Sequence, residues 1–284
     1  MPVSSATGPV SATPPLNDAA GPAAGLAVAP PSPGVAWAGL LWTLVRTDFK
    51  ARYHGAVSGF AWALLKPALM FAVLVAVFSM VFAGEPTYKL DLIIGLFLWD
   101  FFSDGTKTGM VALSAKSFLL TKARLPAWIV VVTSVANALL TLLVFAVVVV
   151  GFLVVSGRAP GWPAIGAFAG YLAALAVMVV GVSLGSSVLF LRYRDLNQVW
   201  DMATQAGFFV APVIYPLGVI PEPLHLWLFL WPPTPVMEFA RAALVDQALP
   251  TWRGHLCLAA MTAVIFAAGA WVYRRHGPRA VECL

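Results

Sequence analysis

Asp100 and Asp104 stand one helical turn apart inside an otherwise apolar stretch, and Lys107 follows three positions later. A charged group in such a setting costs several kcal/mol unless it faces a cavity, water or a partner, so chemistry is sought there first. Asp104 and Lys107 have the spacing at which opposite charges pair on a helix surface. For Asp100 two readings stand side by side: a structural hydrogen bond to a neighbouring helix, or one wall of a polar path. Asn137, Thr204 and Gln205 pose the same alternative more weakly, while Asp201 opens an apolar segment where an interfacial place suits it. Aromatic residues gather in the same two segments, Trp99, Phe101 and Phe102 in one and Trp200, Phe208, Phe209 and Tyr215 in the other. Such rings serve as lipid-facing packing and interfacial belts, and they also present flat faces for stacking.

Other chemistry finds no purchase. The phosphate-cradling pattern G-x-x-x-x-G-K-[ST] does not occur. His54, His225, His255 and His276 are scattered, and no His/Cys set has metal-ligand spacing. No Ser-His-Asp set falls on one side of a membrane. Cys257 and Cys283 are too few for a disulfide framework and read as free thiols. The chain thus reads as carrying no catalytic engine, with transport driven by another subunit or by an ion gradient.

The elements that must position these residues are membrane spans. Of 284 residues, 61% are hydrophobic and 10% charged, against about 25% charged in a soluble domain. The net charge of +5 does not signal nucleic acid, because the basic residues flank apolar segments and form no polar face. Residues 1–34 are rich in Pro, Ala, Ser and Gly, lack the charged start of a signal peptide, and read as a disordered cytoplasmic tail. From Ala36 to Lys50, Trp37, Leu40, Leu41, Leu44, Val45 and Phe49 fall on one helical face, with Thr43, Arg46, Thr47 and Lys50 opposite. That pattern predicts an amphipathic helix lying in the membrane interface; the alternative is a helix packed on a soluble partner.

Six apolar segments succeed it, at about Ser58–Ala83, Leu90–Met110, from after Pro126 to Val155, Trp162–Leu191, Val199–Leu217 and His255–Tyr273. Pro67 should kink the first. Gly166–Gly170 and Gly181–Gly185 give the fourth two small-residue spacings suited to close packing within one subunit. Gly218–Gly254 is rich in Pro and Trp, too broken for a span and too apolar for a plain loop, so a re-entrant or interface-lying pair of short helices is expected. With the N-terminus inside, 13 of the 17 basic residues fall on inward segments, leaving Lys89, Arg158, Arg241 and Arg253 outside. This excess is the usual sorting signal. The expectation is an all-α membrane protein of six transmembrane helices, with residues 35–275 as the membrane domain and 276–284 as a second cytoplasmic tail.

A series of short blocks resembles the polysaccharide-export permeases, membrane subunits of ABC transporters in the type-2 permease superfamily. They are Arg52-Tyr53-His54-Gly55, Ser58-Gly59-Phe60-Ala61-Trp62 with Lys66-Pro67, Gly95-Leu96-Phe97-Leu98-Trp99, and Ser117-Phe118-Leu119-Leu120-Thr121-Lys122 before Leu125-Pro126. Arg192-Tyr193-Arg194-Asp195-Leu196, Ala211-Pro212-Val213-Ile214-Tyr215-Pro216 and Thr234-Pro235-Val236-Met237-Glu238-Phe239-Ala240-Arg241 continue the series over about residues 36–275. Where the family's last block begins Asn-Pro, this chain has Trp231-Pro232.

The resemblance implies a homodimer above two cytoplasmic ABC ATPase subunits, which hold ATP and Mg while this chain holds no cofactor. It implies export of lipid-linked glycans of O-antigen, capsule or teichoic-acid type across the bacterial cytoplasmic membrane, both termini cytoplasmic. The amphipathic helix would be a gate (Trp37, Leu41, Arg46, Lys50, Arg52, Tyr53). The loop after the second span would couple to the ATPase (Ser117, Phe118, Leu119, Leu120, Lys122, Arg124). Gly218–Gly254 would form periplasmic re-entrant helices. On this reading Trp99, Asp100, Phe102, Asp104, Phe208, Phe209 and Tyr215 line the path of the glycan headgroup, the rings stacking on sugar faces. Arg192, Arg194 and Asp195, at the next inward loop, read first as topological anchors with a local ion pair. Alternatives are a relative exporting a drug or small lipid, an ion-coupled carrier, for which no repeat between the halves is visible, and an intramembrane enzyme. For the last, the largest loop offers only Glu222, Glu238 and Asp246.

Overall fold

The computed structural model describes residues 35–53, 59–123 and 125–281. The chain forms two units, Met1–Gly39 and Leu40–Leu284. Of the first, only the opening turn of a helix is described; the second holds the helical bundle. All regular structure among the described residues is helical: α1 (Val35–Tyr53), α2 (Gly59–Phe78), α3 (Tyr88–Ala115), α4 (Ser117–Ala123), α5 (Ala127–Val155), α6 (Trp162–Arg192), α7 (Leu196–Val210), α8 (Glu222–Phe229), α9 (Pro233–Leu244) and α10 (Trp252–Val281).

At about 1.5 Å per residue, α5, α6 and α10 each exceed the roughly 30 Å of a bilayer's hydrocarbon core. Over Ala127–Val155, Trp162–Arg192 and Trp252–Gly277 they are also apolar enough to cross it. The described part of α2 adds a shorter apolar run, Leu64–Phe78, with Pro67 inside the helix. The molecule is therefore a multi-pass helical membrane protein, the architecture that satisfies backbone groups in lipid without water.

Helix α3 is the hub. Phe97 stacks on Phe145 of α5 at 4.3 Å between ring centroids, while Gly105 and Gly109 face Ala138 and Val135, so α5 runs antiparallel to α3. The same glycines face Val179 and Ser183 of α6, which runs parallel to it. Trp99 meets Phe208 and Lys107 meets Asp201, making α7 antiparallel. Helix α10 runs parallel to α6, with Tyr171 against His255 and Gly185 against Gly269. Gly181, Gly185 and Gly269 bring these two backbones into contact; a Cβ on Gly181 would stand 2.7 Å from the backbone of Phe266. The second small-residue spacing thus builds a seam within the chain, whereas Gly166 and Gly170 face open space.

Helix α7 stops at Val210, short of the expected Leu217. Pro212 disfavours helical geometry in the residue before it, and Ala211 is extended at φ −70°, ψ 146°. The break frees backbone carbonyls in a buried region, and Arg241 of α9 supplies their donors. Its guanidinium, 5% exposed, donates from Nη1 to Pro212 O (2.6 Å), from Nη2 to Val213 O (3.1 Å) and from Nε to Asp91 O on α3 (3.0 Å). Nη1 also donates to the Glu238 carboxylate at 2.7 Å. Gly95 makes the room, for a Cβ there would lie 2.5 Å from Nη2. Gly95, Pro212-Val213 and Glu238–Arg241, distant in sequence, are one polar knot.

Residues 218–254 hold two short helices, as expected. Val236, Met237, Ala240, Ala243 and Leu244 of α9 are fully buried against α3 and α6, while α8 has no buried residue and exposes Leu226 and Trp227. Within Leu40–Lys50, α1 packs Leu40, Leu41, Leu44, Val45 and Phe49 and exposes Thr43, Arg46, Thr47 and Lys50, the alternation that its sequence predicts.

Candidate functional site

A cavity of about 640 Å³ lies between α2, α3 and α7. Helix α3 contributes Leu96, Trp99, Asp100 and Ser103, a stripe at i, i+3, i+4 and i+7 that a helix puts on one face. Helix α7 contributes Thr204, Gln205, Phe208 and Phe209, and α2 contributes Lys66, Pro67, Leu69, Met70 and Val73. The rim is apolar and open: Leu69, Val73 and Phe209 are each more than half exposed. Asp100, half-buried on α3, and Lys66, exposed on α2, line the same space. Apolar walls with a few convergent polar groups are what a ligand pocket offers.

The aromatic wall is tightly packed. Trp99 is edge-on to Phe208 at 6.1 Å and near-parallel to Trp231 at 6.4 Å and 19°. Gly207 lets α7 press against this pair, since a Cβ there would meet Trp231 at 2.7 Å and Trp99 at 2.9 Å. Trp231 stands at the position where the resembling family begins Asn-Pro, so a ring occupies the place of an amide. Below, Trp200 donates from Nε1 to Thr106 Oγ1 at 2.9 Å, fixing the inner half of α7 on α3.

Four of the seven residues expected along the path, Trp99, Asp100, Phe208 and Phe209, come together here. Phe102 does not: it is 1% exposed, turned into the core against Trp200. Tyr215 lies past the α7 break and donates its hydroxyl to Val210 O. Asp104 is exposed outside the cavity lining. Lys107, spaced to reach Asp104 on its own helix, forms an ion pair with Asp201 of α7 at 2.6 Å. By sequence Lys66 is only an inward-side cation; its place beside the second apolar segment is a tertiary fact with no local signature. Asn137 belongs to a different, smaller cavity of 240 Å³ with Asp48, Lys116 and Ser134.

The remaining expected groups lie elsewhere. In α4, Leu120 is buried in a small core with Leu113, Val130 and Val188, whereas Phe118 is 64% exposed and Lys122 lies 4.7 Å over its ring. Ser117 and Leu119 are half-buried, and Arg124 lies outside the described residues. On α1, Leu41 packs inward while Arg46 and Lys50 are exposed; the side chains of Trp37, Arg52 and Tyr53 lie outside the described residues. His255 bonds the Tyr171 hydroxyl at 2.8 Å, and His225 and His276 bond backbone carbonyls of their own segments, roles in packing.

Comparison with known proteins matches residues 39–245 to the model of the ABC-2 type transporter family. The chain is 30% identical over 253 residues to the O-antigen export system permease protein RfbA of Myxococcus xanthus, covering 87% of this chain and 95% of that one. It is 26% identical over 195 residues to the protein of the same name from Klebsiella pneumoniae, covering 68% of this chain and 75% of that one. With well over half its length matched to the family, and a relative at that identity aligned nearly end to end, the chain belongs to the ABC-2 type transporters.

Proposed function

We propose that this chain is the transmembrane subunit of an ATP-driven exporter that moves a lipid-linked polysaccharide of the O-antigen type across the bacterial cytoplasmic membrane. The cavity between α2, α3 and α7 carries this reading. Its open apolar rim suits a lipid chain that stays in the bilayer, and the charged and aromatic lining of Asp100, Lys66, Trp99 and Phe208 suits a sugar-phosphate headgroup. The family and the relatives' names support the same substrate class. Six passes, with α2, α3 and α7 crossing as well and both ends cytoplasmic, accord with the alternating helix directions and with the basic residues at the end that carries Lys107, Lys116 and Arg192. ATP and Mg belong to two copies of a separate ABC ATPase, which α4 meets through the exposed Phe118 and Lys122. A second copy of the chain completes the conduit, α8 and α9 stand at its exit side, and α1 gates its entrance.

The test is reconstitution in vesicles with the ATPase and a lipid-linked glycan. Export should require ATP, and Asp100→Asn should lower it about tenfold, equivalent to about 1.4 kcal/mol in the rate-limiting step, with the subunits still assembled. ATP-independent export, or a drug-like solute carried in preference to the glycan, would overturn the proposal.

A further inference from the structure

We infer that Lys116 is a latch that ties the interfacial helix α1 to the short helix α4; this rests on the exporter reading above. Lys116 ends α3 and its carbonyl receives the first backbone hydrogen bonds of α4, from Leu119 N at 3.0 Å and Leu120 N at 3.4 Å. Any displacement of α4 therefore moves Lys116. Its side chain reaches the other way, to the Asp48 carboxylate on α1, and donates to Ser134 Oγ of α5 at 3.0 Å. The Ser134 hydroxyl proton is spent on Val130 O at 2.9 Å, so its oxygen is free to accept from the ammonium.

Asp48 lies on the packed face of α1, and its side chain and that of Lys116 are only 23% and 22% exposed. A pair so withdrawn from water holds its partners more firmly than a surface pair does, and breaking it leaves a partly buried charge. A second acceptor for that charge lines the same cavity. Asn137, one turn deeper on α5 than Ser134, is 5% exposed, and its Oδ1 has no hydrogen-bond partner. Lys116, Asp48, Ser134 and Asn137 line one cavity of 240 Å³. An ammonium with three donors has two sets of acceptors here: Asp48 with Ser134, or Ser134 with Asn137. The first docks α1 and the second releases it. Two discrete arrangements of one side chain make α4 and α1 a two-state element.

The test uses the full chain with Cys257→Ser and Cys283→Ser, and a spin label on Thr47→Cys at the exposed face of α1. In the permease alone, Lys116→Met should raise label mobility, and the swapped pair Asp48→Lys with Lys116→Asp should restore it. In vesicles with the ATPase, Lys116→Met should cut glycan exported per ATP hydrolysed about five- to tenfold, and Asn137→Leu should do so while leaving α1 immobile. Unchanged mobility in Lys116→Met, a swap that fails to restore it at wild-type thermal stability, or released α1 with unchanged export per ATP would each overturn the latch. The mobility measurement needs neither glycan nor ATPase, so a failed exporter reading shows as absent ATP-driven export in the unsubstituted chain, separately from the latch.

Discussion

Replacing Arg241 by Met should be the most damaging single change on the non-basic side of the bundle. The guanidinium serves four acceptors, three backbone carbonyls and the Glu238 carboxylate, at 2.6 to 3.1 Å. At about 1.5–3 kcal/mol for each bond to a charged group the gross contribution exceeds 6 kcal/mol, but burying the ion offsets much of it. What remains when only one partner is removed is an uncompensated carboxylate and three orphaned carbonyls, a loss of roughly 3–5 kcal/mol. For a chain of this size that lowers the melting temperature in detergent by about 10 °C, read from the loss of monodisperse protein on heating. Arg241→Lys should recover little, because a point ammonium does not span a fork of acceptors from three segments. Gly95→Ala supplies the cross-check: its Cβ would stand 2.5 Å from Nη2 and 3.3 Å from Val213 O, an overpacking of about 1–3 kcal/mol. In the Arg241→Met background the Nη2 clash is gone, so the two losses should be less than additive by about 1 kcal/mol. A melting temperature for Arg241→Met within about 2 °C of wild type, on the scale of 1 kcal/mol or less, would refute this reasoning, as would strict additivity with Gly95→Ala.

Gly269→Ala should prevent α6 and α10 from closing, since the new methyl would run into the Gly181 carbonyl; a loss of several kcal/mol in detergent stability is expected, against no measurable change for Gly166→Ala, which faces open space. Lys107→Met should change stability by less than about 1 kcal/mol, because it and its partner Asp201 are one-third to one-half exposed; a larger melting shift would mean that this pair does more than hold α7 loosely.

Much of the architecture is legible in the sequence because it is written in local periodicity. The packed and exposed faces of α1 reflect a 3.6-residue repeat, and the bounds of α5 and α6 reflect length and composition. The stripe Leu96, Trp99, Asp100 and Ser103 is equally legible, and Phe102 falls about a third of a turn away from it, so helical arithmetic alone removes that ring from the path. Asp48 carries a signal as well: a carboxylate on the apolar face of an amphipathic helix asks for a buried cation. The partners themselves are not legible. Lys107 pairs with Asp201, 94 residues away in the chain. Arg241 has the local look of an outward-side cation because its acceptors come from α3, the α7 break and its own helix. Spacing reveals which face a side chain occupies; it does not reveal which distant segment arrives there.

The rim of the large cavity bears on how the resting protein keeps ions out. Leu69, Val73 and Phe209 open outward among exposed apolar side chains of α2 and α7, and among the described residues no side chain caps this rim. In the exporter proposed above, bilayer hydrocarbon completes the wall wherever the second copy does not cover it. The seal between export cycles is then a property of the surrounding membrane as much as of the chain, and it should tighten or loosen with acyl-chain length and packing while every side chain stays the same.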